Sequence, residues 1–156
     1  MSAVRKIYRV SPLAEKMAEP GGITVEEALS QAEAGLASHF DEAMATIRQR
    51  LSRLEYLAAE QRPETTAEVY AVAEKLLDIA GFFDTGPLHP AVSSLCDITD
   101  HMLHAGRWNW EAVTLHVTAM RLILEGGCRD DAASITLLQG LSRLTGHLRQ
   151  ERPPAG

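Results

Sequence analysis

A single apolar stripe limits what this chain can fold into more than any other feature. Val25, Leu29, Ala32, Leu36, Phe40, Ala43, Ile47, Leu51, Leu54 and Ala58 recur at intervals of three and four. Only an α-helix, with about 3.6 residues per turn, gathers that spacing onto one face. Thr24 and Glu27 stand at its start as a capping box, each side chain satisfying a free amide of the first turn. Arg62-Pro63 marks its end, and Gly35 is the one weak point inside it. An unbroken helix over this span is about 50 Å long at about 1.5 Å per residue.

The rest of the chain has the same period. A second capping box, Thr65 with Glu68, opens a stripe of Val69, Val72, Ala73, Leu76 and Ile79 or Ala80, which runs into Gly81-Phe82-Phe83. Asp84-Thr85-Gly86-Pro87 reads as a turn. A third helix is predicted from near Pro90 to Gly106, burying Val92, Leu95, Ile98 or Thr99, and Met102. Asn109 caps a fourth, with Val113, Val117, Met120 and Leu124 inward and Gly126-Gly127 at its end. A fifth follows Asp130 or Asp131 and carries Ile135, Leu138, Leu141, Leu144 and Leu148. No alternating strand pattern appears in the sequence.

Short connections between amphipathic helices favour antiparallel neighbours. The expected fold is therefore all-α: an up-and-down antiparallel four-helix bundle with a long first helix and an extra C-terminal helix. The expected boundaries are an N-terminal arm at 1–22, a bundle domain at 23–149 and a flexible tail at 150–156. Within the arm, Ser11-Pro12 would start one short turn; the tail holds Arg152-Pro153-Pro154.

Charge argues against a nucleic-acid partner. The 156 residues carry a formal net charge of −6, and Arg48, Arg50 and Arg53 are interspersed along a helix face expected to be solvated. Met1 to Val10 lacks the apolar run of an export signal, and no stretch approaches the roughly 20 apolar residues of a membrane span. A cytoplasmic protein with free thiols at Cys96 and Cys128 is the expectation, with Cys96 acting as a small buried hydrophobe.

Candidate chemistry is sparse. His101 and His104 are spaced to share a helix face, with Asp97 and Asp100 near, yet no known metal-binding pattern surrounds them. A wet helix end is the plainer reading. His116, between Leu115 and Val117, reads as a partly buried, hydrogen-bonded histidine. Asp130 and Asp131 read as helix caps rather than an acid and base pair. No phosphate loop and no Ser-His-Asp or Cys-His order stands out. The chain is expected to be no enzyme, and no cofactor or metal is implied.

One stretch is more specific. Ala73-Glu74-Lys75-Leu76 leads through Ala80-Gly81-Phe82-Phe83 to a turn and then to Ser94-Leu95-Cys96. Further on come Leu115-His116-Val117, then Ala119, Met120 and Arg121. Over roughly residues 66 to 125 this resembles the histidine phosphotransfer (Hpt) domains, in their divergent alphaproteobacterial form. More loosely it is similar to the CheE group of histidine-less proteins encoded with chemotaxis genes. The Hpt-like part would span about 24–125, with the added helix at about 131–149.

Departures from that family pattern carry the functional expectation. Glu74 stands where the family has its phosphoryl-accepting histidine, and a carboxylate offers no ring nitrogen to an aspartyl phosphate. Leu77 and Asp78 replace a cation and a glycine of the family, removing phosphate stabilisation and adding bulk and negative charge. The resemblance thus implies a non-catalytic binding module in two-component or chemotaxis signalling. It would dock a response regulator receiver domain or a histidine kinase without carrying phosphate. Its protein-binding residues would be Glu74, Lys75, Leu77, Asp78, Gly81 and Phe82, with one of Phe82 and Phe83 plugging the end of the bundle. Two alternatives stand beside it. One is a self-associating structural module, a homo-oligomer built through the first or last helix. The other is a phosphotransfer protein with a displaced acceptor such as His116 or His39.

Overall fold

The computed structural model describes residues 21–150. The expected turn at Ser11-Pro12 and the tail at Arg152-Pro153-Pro154 lie outside the described residues. Among the described residues every regular element is helical. The described residues form five α-helices: α1 (Val25–Glu60), α2 (Thr66–Phe82), α3 (Leu88–Ala105), α4 (Trp110–Glu125) and α5 (Ala132–Gln150), with a 3₁₀ turn at Pro63–Thr65. None of them is long and apolar enough to cross a membrane.

The chain divides into two compact units, Met1–His39 and Phe40–Gly156. In the first, the expected capping box closes the start of α1. The Thr24 amide donates to Glu27 Oε2 at 2.8 Å, and the Glu27 amide donates to Thr24 Oγ1 at 3.1 Å. That pairing holds the Glu27 carboxyl below its usual pKa. The apolar stripe is not buried here: Val25 is 78% exposed, Leu29 59% and Leu36 68%. Its expected burial holds only further along.

In the second unit the same stripe enters the core. Ala43, Ile47, Leu51, Leu54 and Ala58 are buried, and so is Leu57, which the stripe alone did not include. All of these but Ala43 join Val69, Ala73 and Leu76 of α2, Leu88, Leu95 and Met102 of α3, and Val113, Met120 and Leu124 of α4 in one hydrophobic cluster. α3 packs against α2, α4 and α5, and α5 also touches α4. Arg121 of α4 reaches α1 through two bonds of 2.6 Å to the Glu55 carboxylate and one of 3.2 Å to Ser52.

Three helix starts show how local chemistry sets the boundaries. Asn109 caps α4 as expected, its Oδ1 accepting from the Ala112 amide at 3.0 Å. Asp131 caps α5 through the Ser134 amide at 2.9 Å. The box expected at Thr65 and Glu68 does not form. Thr65 turns its hydroxyl back to the Arg62 carbonyl at 2.8 Å, and Glu68 pairs with Arg53 at 2.6 Å. Both side chains are thus diverted from the helix amides.

Three further details depart from the sequence reading, and the two phenylalanines divide. α3 begins at Leu88 rather than Pro90, because the Pro87 carbonyl already accepts from Ala91. Pro90 falls in the first turn, where an amide has no helical partner to lose. Ile135 is 50% exposed, and the inward face of α5 is carried instead by Ser134, Leu141, Thr145 and Leu148. Arg48 and Arg53 are exposed, but Arg50 is half-buried and its Nε finds no partner. Of the two phenylalanines, Phe82 is 82% exposed while Phe83 is half-buried edge-on to Phe40 at 6.0 Å.

Candidate functional site

The six residues expected to bind a partner all lie on α2. Residues four apart share a helix face, so Glu74 and Asp78 stack in register with Gly81 just beyond. Lys75 and Phe82 flank them on one side and Leu77 on the other. The structure leaves Glu74, Lys75, Asp78, Gly81 and Phe82 exposed, with Leu77 half-buried against the core. The alternating partners Ala73, Leu76 and Ala80 are buried, which fixes the rotation of α2 and turns Glu74 outward.

Glu74 has one bonding partner at short range. Tyr70, one turn earlier, donates its hydroxyl to Glu74 Oε1 at 2.7 Å. That bond, chiefly, pushes the Tyr70 phenol up to about 12, with burial and the charges of Glu74 and Asp100 adding to it. The facing helix supplies more negative charge. Asp97 and Asp100 of α3 are exposed beside Cys96. Cys96 itself is pushed up to about 12, first by burial and then by the charges of Glu74, Asp97 and Asp78. Glu74 and Asp78 thus share this face with Lys75, while Asp97 pairs with Arg149 of α5 at 3.3 Å.

The α2–α3 turn closes the lower end of the face. Thr85 is buried and donates to the Ala80 carbonyl at 2.9 Å, while Asp84 Oδ1 accepts from the Gly86 amide. Gly86 has φ of +50°, and a Cβ there would meet the Cys128 carbonyl oxygen at 2.6 Å, so only glycine fits. At Gly81 a Cβ would press the His89 ring at 3.3 Å. The turn also bounds an open hollow of about 370 Å³ lined by Gly81, Phe82, Phe83 and His89.

The histidines separate by burial. His116 is fully buried in α4. Its Nδ1 donates to the Ala112 carbonyl at 2.8 Å, and Nε2 accepts the Ser94 hydroxyl at 3.0 Å. Burial pushes its pKa below the ordinary histidine value. Ser94 in turn meets Thr145 of α5 at 2.8 Å, and Thr145 shares its hydrogen with the Leu141 carbonyl at 2.9 Å. His116 is therefore a neutral link in a chain that ties α3, α4 and α5 together, with both nitrogens engaged. His104 faces its own helix, Nδ1 lying 2.9 Å from the Asp100 carbonyl. Among the described residues no three His, Cys, Asp or Glu side chains converge on a metal position.

Sequence reasoning brought Glu74, Asp78, Gly81 and Phe82 together but missed two contributors. Tyr70 was legible as an i, i+4 neighbour of Glu74. Thr145 was not, because its partner Ser94 lies on a helix far away in sequence. The Asp97 and Asp100 carboxylates, considered as metal ligands, instead lie 3.3 Å from Arg149 and from His104. No protein-family model, curated protein or solved structure matches the chain.

Proposed function

We propose that the chain is a non-catalytic, Hpt-like docking module of two-component or chemotaxis signalling. In this reading α1 to α4 form an up-and-down antiparallel four-helix bundle, with α5 as an added helix against α3 and α4. Its partner is a receiver domain or a histidine kinase of the cytoplasm, engaged through Glu74, Lys75, Leu77, Asp78, Gly81 and Phe82. One observation carries the reading. The side chain at the position of the family's histidine is an outward-facing carboxylate, with exposed Asp78 one turn further along the same helix. A phosphoryl group brought there would meet negative charge and no imidazole.

The face keeps what binding requires while lacking what transfer requires. Phe82, largely exposed, and the half-buried Leu77 offer apolar area on either side of Glu74 and Asp78, and those carboxylates select a partner with basic residues at its contact edge. Incubation with phosphorylated receiver domains tests both halves. The expected result is saturable complex formation with no stable label on this chain. Acid-labile phosphate on the chain, or the absence of any receiver or kinase complex, would refute the reading. The buried, doubly bonded His116 weighs against a displaced acceptor at that position.

Self-association is the second reading, favoured by a specific observation. Val25, Leu29 and Leu36 form an exposed apolar line along the first part of α1. Contiguous apolar surface of this kind marks contact sites. Light scattering of the full chain would reveal a dimer; a strict monomer at high concentration removes the idea.

A further inference from the structure

Two stretches of the chain carry opposite charge, and both leave apolar side chains open. The first is the start of α1. Val25, Leu29 and Leu36 are exposed, and with Ala32 they follow the four-three-four spacing that gathers onto one helix face. Glu26 and Glu33, seven residues apart and both exposed, flank that row along one edge. From Gly21 to Ile47 the chain holds no Lys or Arg. Two such rows laid face to face would bring only carboxylates to their shared edges, which is unfavourable.

The second stretch is α5. From Ala132 to Gln150 it holds Arg143 and Arg149 and no Asp or Glu. Its first turns and the end of α4 bound an open hollow of about 600 Å³, with Leu122, Ala133, Thr136 and Leu137 in the walls. Leu115 and Leu122, seven apart on α4, are each half exposed, and Leu137 and Leu144, seven apart on α5, are half-buried. Both pairs repeat with the period of the α1 row. Arg143 stands seven residues beyond Thr136 and so continues that edge of the groove. It is exposed and enters no ion pair or hydrogen bond among the described residues. The one carboxylate in the walls, Asp131, already accepts the Ser134 amide at 2.9 Å.

We infer that copies of this chain associate by seating the start of α1 of one copy in the α4–α5 groove of another. The inference rests on the self-association reading and names the surface that α1 meets. Val25, Leu29 and Leu36 form the apolar ridge, Leu122 and Leu137 the floor that receives it, and Glu26 and Glu33 meet Arg143 at the edge. Removing the ridge and floor from water supplies the attraction. Opposite charge then selects the groove over a second α1 row.

Charge reversal tests it, because mixing two variants restores what each alone loses. Glu33→Lys and Arg143→Glu both fall at exposed positions, where folding tolerates them. Sedimentation equilibrium of the full chain at low salt should show concentration-dependent association, weakened about tenfold by either change alone. In an equimolar mixture of the two variants, each α1 meets a groove of opposite charge on the other chain. Association should then return to within about threefold of the unaltered protein. Leu29→Ser, which removes part of the ridge, should weaken it about tenfold. An association indifferent to Arg143→Glu, or a mixture no tighter than its parts, would overturn the inference and leave self-association through α1 rows standing. A monomer at every concentration would overturn both.

Discussion

α3 carries two sets of polar side chains, and they have opposite fates. On its open side it presents Asp97 and Asp100, exposed carboxylates that lie 3.3 Å from Arg149 of α5 and from His104, respectively. Toward α4 and α5 it presents Ser94, joined to buried His116 and to Thr145. The first set is charged and solvated, so its surface pairs contribute little. The second set is neutral and enclosed, so each member needs a bond. Exposure leaves the first set available to another molecule. Burial commits the second to holding three helices in register.

The sharpest way to break that contrast is to remove the buried histidine. His116→Ala deletes a fully enclosed ring and strips Ser94 of its acceptor. A loss of about 3 kcal/mol is expected from the cavity and the unpaired hydroxyl together. Urea denaturation at neutral pH measures it. A loss below about 0.5 kcal/mol, the range of ordinary surface changes, would mean that His116 is as dispensable as an exposed residue.

Acidification sharpens the same point without a mutation. The folded pKa of His116 lies below its ordinary 6.5, because burial disfavours the charged ring. The unfolded chain therefore takes up the proton first as pH falls. The stability linked to His116 is complete above about 6.5 and is lost as pH drops through its folded pKa. The slope in that window can reach about 1.4 kcal/mol per pH unit for one proton. Glu27 and Asp131 also have lowered values, but from starting points of 4.5 and 3.8, so their losses come at more acid pH. A stability curve flat between pH 6.5 and 5 would contradict a neutral, enclosed His116.

A smaller effect isolates the link to α5. In a double-mutant cycle of Ser94→Ala and Thr145→Val, the two changes should fall short of additivity by about 1 kcal/mol. Strict additivity would show that the 2.8 Å contact between them contributes nothing measurable.

How much of this was legible in the sequence depends on the range of the interaction. The helices, the Thr24–Glu27 box and the Asn109 cap were readable because their partners lie within one turn. The Thr65–Glu68 box misled because Arg53, fifteen residues earlier, draws Glu68 away. Periodicity placed all of Val25 to Ala58 on one face but carries no information about where its cover ends. Val25, Leu29 and Leu36 therefore looked the same as Ile47 and Leu51. The outward turn of Glu74 was readable from the neighbours Ala73 and Leu76. The Ser94–His116–Thr145 chain was not, since it joins three helices whose packing no local pattern specifies.

The smallest expected effect lies at Glu74 itself. Glu74→Gln keeps the shape and removes the charge, so stability at neutral pH should move by less than about 0.5 kcal/mol. The Tyr70 phenol should respond instead. Its value of about 12 rests first on the bond to the Glu74 carboxylate. Without that charge it should fall toward the ordinary phenol value near 10, burial and Asp100 holding it somewhat above. The ring-carbon chemical shift of Tyr70, followed with pH in both proteins, reads the change. An unaltered midpoint would mean that Tyr70 does not hold the Glu74 carboxylate in solution. The acidic face would then lack the fixed centre that distinguishes it from a row of ordinary solvated charges.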